Sequence, residues 1–163
     1  MDPVVCSVIG WSWEQSKRRY RISYGQELDW PTGGSVSILS ECTRFDVSAA
    51  ARRFLEAFCK LRVEHPPSIE LKGREIFCWT EFDPARVCTE RDARIAGRCA
   101  RVASESLCPL GIDGFHLTVY VSPSGRFYAG MDSSVFAYAD HVDEFFAKLA
   151  GGSRPQLIGN WEL

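Results

Sequence analysis

The sequence predicts an α+β fold, in which antiparallel hairpins and amphipathic helices share one domain over residues 1–163. Three observations carry this expectation. One is a hairpin signal between Phe115 and Ala129. The second is a pair of apolar stripes with helical spacing, at 51–58 and 142–149. The third is a helix start at Phe82-Asp83-Pro84.

The hairpin is the strongest of the three. Phe115-His116-Leu117-Thr118-Val119-Tyr120-Val121 is rich in aromatic and β-branched residues, which suit a pleated, half-buried surface. Phe115, Leu117, Val119 and Val121 share one face by period two, and His116 alternates away from them. Ser122-Pro123-Ser124-Gly125 breaks the strand, because Pro123 pre-sets a negative φ and Gly125 tolerates a positive one. Arg126-Phe127-Tyr128-Ala129 leaves as the return strand.

The first helix has Asp46 or Ser48 as its N-cap. Ala51, Phe54, Leu55 and Phe58 form its apolar stripe, with Arg52, Arg53 and Glu56 off it. His65-Pro66-Pro67 ends any helix. Residues 69–82 read as a second hairpin around Lys72-Gly73-Arg74. Asp83 then caps a helix with Pro84 at its first position. Val87, Cys88, Ile95, Cys99 and Val102 share a face of one long helix or two shorter ones. Gly97 weakens an unbroken helix by about 1 kcal/mol relative to Ala. Arg94, Arg98 and Arg101 line one flank, either as a solvated face or as a dock for an acidic partner. Asp140 caps the last helix, with Val142, Phe145, Phe146 and Leu149 as its stripe and Gly151-Gly152 as its left-handed stop. The tail from Gln156 is apolar enough to pair with a sheet edge. Val4–Ile9 is a short strand or the tail of a helix, and Trp30–Gly34 is a loop.

Composition narrows the function. A net charge of −2 gives no case for direct nucleic-acid binding, which needs clustered basic charge. Lys17-Arg18-Arg19-Tyr20-Arg21 is short and isolated and reads as solvated surface. No apolar run reaches the roughly 18 residues of a membrane span, so no membrane partner is expected. The start, MDPVVCSVIGW, lacks the basic n-region of a signal peptide. The seven cysteines are odd in number and contain no CxxC. They read as reduced, mostly buried small side chains of a cytoplasmic protein.

No catalytic signature accompanies them. His65, His116 and His141 are scattered, and zinc-ligand spacing is lacking. GxxxxGK[ST], GxGxxG after a strand, GxSxG and HExxH are absent. The expectation is therefore no enzyme, no cofactor and no metal.

The ordered elements resemble the SUKH superfamily of bacterial immunity proteins, and within it the third SUKH family. Gly10-Trp11 resembles the family's N-terminal GW. Ala50–Phe58 resembles its A-A-x-x-F-L-x-x-F helix, through Phe54, Leu55 and Phe58. Phe82-Asp83-Pro84 resembles the FDP that opens its second helix. Leu107-Cys108-Pro109-Leu110-Gly111, Leu117-Thr118-Val119 and Ser124-Gly125-Arg126-Phe127-Tyr128 resemble its L-x-P-L-G and G-R-x-Y hairpin. Gly152-Ser153-Arg154-Pro155 resembles its ending. The family's Gly-Gly after the first helix is Cys59-Lys60 here.

The resemblance implies a SUKH-like α+β domain with a mostly antiparallel sheet and about three helices packed on it. It implies a cytoplasmic antitoxin that binds the toxin domain of a polymorphic toxin system, often a nuclease. The alternative is a general interaction or regulatory module of the same fold. Gly10, Trp11, Asp83, Pro84, Pro109, Gly111, Gly125, Arg126 and Tyr128 then read as structural. Residues 109–163 lean acidic, and an acidic surface suits a basic toxin. Asp132, Asp140, Asp143 and Glu144 are the candidate partner-binding residues.

Overall fold

The computed structural model describes residues 22–24, 45–65, 78–114 and 116–161, the first three by backbone alone. Eight strands form one sheet: β1 (Ile22–Tyr24), β2 (Leu61–His65), β3 (Cys78–Glu81), β4 (Cys108–Asp113), β5 (Thr118–Val121), β6 (Phe127–Met131), β7 (Ser134–Ala139) and β8 (Gln156–Asn160). Their spatial order is their chain order, and every neighbouring pair is antiparallel. Helix α1 (Ala49–Phe58) precedes β2, α2 (Glu90–Ala103) precedes β4, and α3 (Val142–Ala150) precedes β8. This is the expected α+β architecture with three helices.

Both faces of the sheet are covered. On one face α1 and α3 bury Phe54, Leu55, Phe58, Phe145, Phe146 and Leu149 against Phe82, Leu110, Leu117, Val119, Val121 and Phe127. Phe145 stacks on Phe127 at 4.4 Å between centroids and meets Tyr138 edge-on at 5.0 Å. On the other face α2 lays Ala96 and Cys99 over Tyr120, Tyr128 and Val135. The central hairpin is therefore buried on both sides, not half-buried. Its aromatic residues on the second face mark where α2 sits.

The hairpin turn is as expected. Val121 pairs with Phe127, Gly125 has φ +88°, and the Gly125 N–H donates to the Ser122 carbonyl at 3.0 Å. The incoming strand starts later, at Thr118. Phe115 lies outside the described residues, and His116 is an exposed turn residue with φ +64°. Asp113 holds that turn by accepting the Leu117 N–H at 2.8 Å.

The helices follow their caps. Ser48, not Asp46, caps α1 by accepting the Ala51 N–H, and the stripe buries as anticipated. Asp83 caps a 3-10 turn, Pro84–Val87, so the stretch forms two shorter helical pieces and not one long helix. Thr89 restarts the chain as α2 through a reciprocal capping box with Asp92. The α2 helix then runs unbroken through Gly97. His141, not Asp140, caps α3, its Nδ1 accepting the Glu144 N–H at 3.2 Å. Asp140 lies one residue too early, and its N–H donates to the Glu144 carboxylate instead. Gly152, with φ +65°, supplies the left-handed stop.

Strands β1, β2 and β7 carry no counterpart in the expectations. α1 ends at Phe58, and Leu61–His65 is β2, so His65 is a buried strand residue and not a loop residue. Its ring meets the Thr80 hydroxyl at 2.9 Å. The hairpin partner of β3 is therefore β2. Ser134–Ala139 forms β7, between the central hairpin and α3. The tail pairs with β7 as β8, as anticipated. Residues 4–9, Gly10-Trp11, the 17–21 strip, the 30–34 loop and the Lys72-Gly73-Arg74 turn lie outside the described residues.

Candidate functional site

A groove of about 370 Å³ opens where β6 begins, β7 ends and β8 begins. Its floor includes Phe127, Ala137 and Ala139. Its rim carries Arg126, Asp140, Glu144, Lys148 and Arg154, with Ile158 at the β8 side.

An alternating chain of charge runs along this rim. Glu105, just after α2, accepts hydrogen bonds from Ser124 Oγ at 2.5 Å and Tyr128 Oη at 2.9 Å. Arg126 bridges Glu105 at 3.5 Å and Asp140 at 3.4 Å. Glu144 pairs with Lys148 at 2.7 Å, and Lys148 Nζ also donates to the Tyr138 carbonyl at 2.9 Å. Burial alone would raise the Glu105 carboxyl. Hydrogen bonds from Ser124, Ser122 and Tyr128, with the Arg126 charge, outweigh it and hold the group below its usual range. Lys148 and the Asp140 N–H hold Glu144 low in the same way. The rim is thus a set of mutually satisfied charges with no free acid or base poised for proton transfer.

The acidic candidates do not form one patch. Asp140, Asp143 and Glu144 gather at the start of α3. Asp132 sits in the β6–β7 turn at the far end of β7, roughly 20 Å away at ~3.4 Å per strand residue. Asp140 and Glu144 are partly neutralised by Arg126 and Lys148, whereas Asp143 is exposed. Several of the residues read as structural lie among the described ones. A Cβ on Gly111 would lie 1.9 Å from the Glu81 carbonyl oxygen, so β4 passes β3 only because that side chain is missing. Pro109 and Pro84 are buried. Asp83 pairs with Lys60 at 2.5 Å besides capping the 3-10 turn. Arg126 and Tyr128 belong to the rim. Glu105, Ser124 and Lys148 were not singled out by the sequence. Their bonds to Ser124, Tyr128 and the Tyr138 carbonyl span 10 to 23 residues, and only the Glu144–Lys148 pair, at i,i+4, has a local spacing that announces it.

Cys78 lies opposite His65 across the β2–β3 ladder, the one place where a cysteine faces a histidine in register among the described residues. Burial, then the nearby Asp113 charge, push its thiol up to about 11, the opposite of an activated nucleophile. Burial likewise raises Cys99. No disulfide joins two described cysteines, and Cys78, Cys99 and Cys108 are buried. No cluster of metal-ligating side chains occurs among the described residues.

Residues 32–152 match the SUKH-3 immunity protein family. The chain belongs to that family. The matched span takes in α1, the Asp83-Pro84 corner, α2, the Pro109–Gly111 passage, the central hairpin and α3. It leaves out Gly10-Trp11 and Ser153-Arg154-Pro155. No curated protein and no solved structure matches the chain. The SUKH-3 core therefore contains most of the groove, while β8 and Arg154 on its rim lie past the matched span.

Proposed function

We propose that this SUKH-3 chain is the cytoplasmic immunity protein of a bacterial polymorphic toxin system, neutralising a cognate toxin domain by direct binding and not by chemistry. The observation that carries this reading is the family match over residues 32–152. The site chemistry agrees with it. The groove's charges satisfy one another, and the thiol that faces a histidine is held protonated. No helix among the described residues is long and apolar enough to cross a membrane. A nuclease is the toxin class that suits the carboxylates at the start of α3. Asp140, Asp143 and Glu144 would meet its basic substrate channel and speed encounter. Asp132 would contribute only to a partner broad enough to reach the far end of β7.

Co-expression with the toxin domain encoded beside this chain tests the reading. Cells should survive, and the two proteins should co-purify. Survival without a complex would mean an enzymatic antidote or a protected target. Neither survival nor complex would leave a general interaction module.

A further inference from the structure

The groove's β8 rim continues into a surface with a different character. β8 pairs with β7, and no described strand pairs with its other side. Open edges template further strands, and proteins usually blunt them with charge, proline or a cover. β8 reads Gln156-Leu157-Ile158-Gly159-Asn160, with neither charge nor proline. Leu157 and Ile158, 53% and 39% exposed, are the exposed large apolar side chains among the described residues.

The α2 helix runs beside this edge. Val102 Cγ1 would lie 2.9 Å from a Cβ on Gly159, and the Arg98 guanidinium sits 4.8 Å above the Trp161 ring, just past the strand. Arg91, Arg94, Arg98 and Arg101 recur at spacings of three and four, so they share one flank about 15 Å long. That flank adjoins Val102 and borders β8. Arg91, Arg94 and Arg101 are exposed, and among the described residues no carboxylate forms an ion pair with them. The carboxylates of α2 itself, Glu90 and Asp92, sit in its first turn. The rim carboxylates Asp140 and Glu144 have cationic partners, whereas this basic flank has no anionic partner among the described residues.

We propose that the outer edge of β8, bordered by the arginine flank of α2, is a strand-addition site for an extended acidic segment of the partner toxin. The proposal rests on the immunity reading. The edge offers backbone donors and acceptors, which select a polypeptide strand over a nucleic acid, and main-chain pairing there supplies affinity. The arginines select side chains: acidic residues at alternate positions on the α2 side, apolar ones on the side of Leu157. The chain's net charge of −2 also disfavours a nucleic acid.

The test uses the full chain and the purified toxin domain. Arg91→Glu, Arg94→Glu and Arg101→Glu together should leave thermal unfolding unchanged and weaken toxin binding about 100-fold, with the loss shrinking as salt is raised. Hydrogen exchange should show amides of 156–160 gaining protection in the complex. Tight binding by the triple variant, or no new protection in β8, overturns the site while leaving direct immunity intact. Free chain that is already dimeric with protected β8 amides overturns it in favour of a second copy. Arginine-dependent binding of a labelled oligonucleotide, with toxin binding untouched, overturns it in favour of nucleic acid. Wild-type chain that binds no toxin overturns both the site and the immunity reading.

Discussion

Lys60 holds φ +66° in the two-residue link between α1 and β2, where the resembled family has glycine. That backbone region costs a side-chain-bearing residue about 1–2 kcal/mol. Lys60 is held there by its N–H, which donates to the Phe82 carbonyl at 2.7 Å, and by its ion pair with the largely buried Asp83. Lys60→Ala and Lys60→Gly both lose the pair, but only glycine escapes the strain. The glycine variant should be the more stable of the two by about 1 kcal/mol in urea unfolding. Equal midpoints would show that the backbone there relaxes. Glu105 makes a second prediction at this scale. Its folded carboxyl titrates below its usual value, so its contribution is present above about pH 4.5 and fades as pH falls through the folded value. Glu105→Gln should lower stability at neutral pH. It should also flatten the decline below about pH 4.5, with Glu144 supplying part of the slope that remains. Parallel pH profiles for wild type and variant would contradict this role for the carboxylate.

Two glycines in different elements should respond with opposite signs. Gly97 is exposed within α2 and a Cβ there meets nothing within 4 Å, so Gly97→Ala should stabilise by about 1 kcal/mol. Gly111 lies against the backbone of Glu81 and Phe82, and neither can move without parting β3 from β4. Gly111→Ala should destabilise by about 3 kcal/mol or fail to fold. A thermal melt of the pair reads both signs. Phe145→Ala removes a ring packed against Phe54, Phe82, Phe127, Tyr138 and Phe146 and should cost about 3–5 kcal/mol. Elements with a strong local signal were legible in the sequence. Helices α1 and α3 announce themselves by stripe and stop, and the central hairpin by Pro123 and Gly125. Strand β2 was hidden just ahead of the Pro66-Pro67 break, which reads only as a stop for a helix. Strand β7 alternates weakly, because Phe136 and Ala137 are partly buried on opposite faces. The α3 cap was placed at Asp140 because histidine is a less usual cap than aspartate.

At the scale of the molecule, the described part of an antiparallel sheet with helices on both faces offers two features that suit a partner: the groove at the end of β6 and β7 and the open edge of β8. Neither was legible as a site, since each is assembled from residues far apart in sequence. The acidic lean of residues 109–163 was real as composition. Folding divided it between the two ends of β7 and spent much of it on Arg126 and Lys148. The arginine flank was legible as a helical pattern and the tail as a strand for a sheet edge, but their lying side by side was not. The central claim is that this SUKH-3 chain silences its toxin by occupying it. Titrating the purified chain into the purified toxin domain, while following toxin activity, tests that most directly. Activity should fall in proportion to the chain added and reach zero at a fixed ratio, with a stable complex isolated at that point. Loss of activity at trace amounts of chain, or full activity in its excess, would contradict the account.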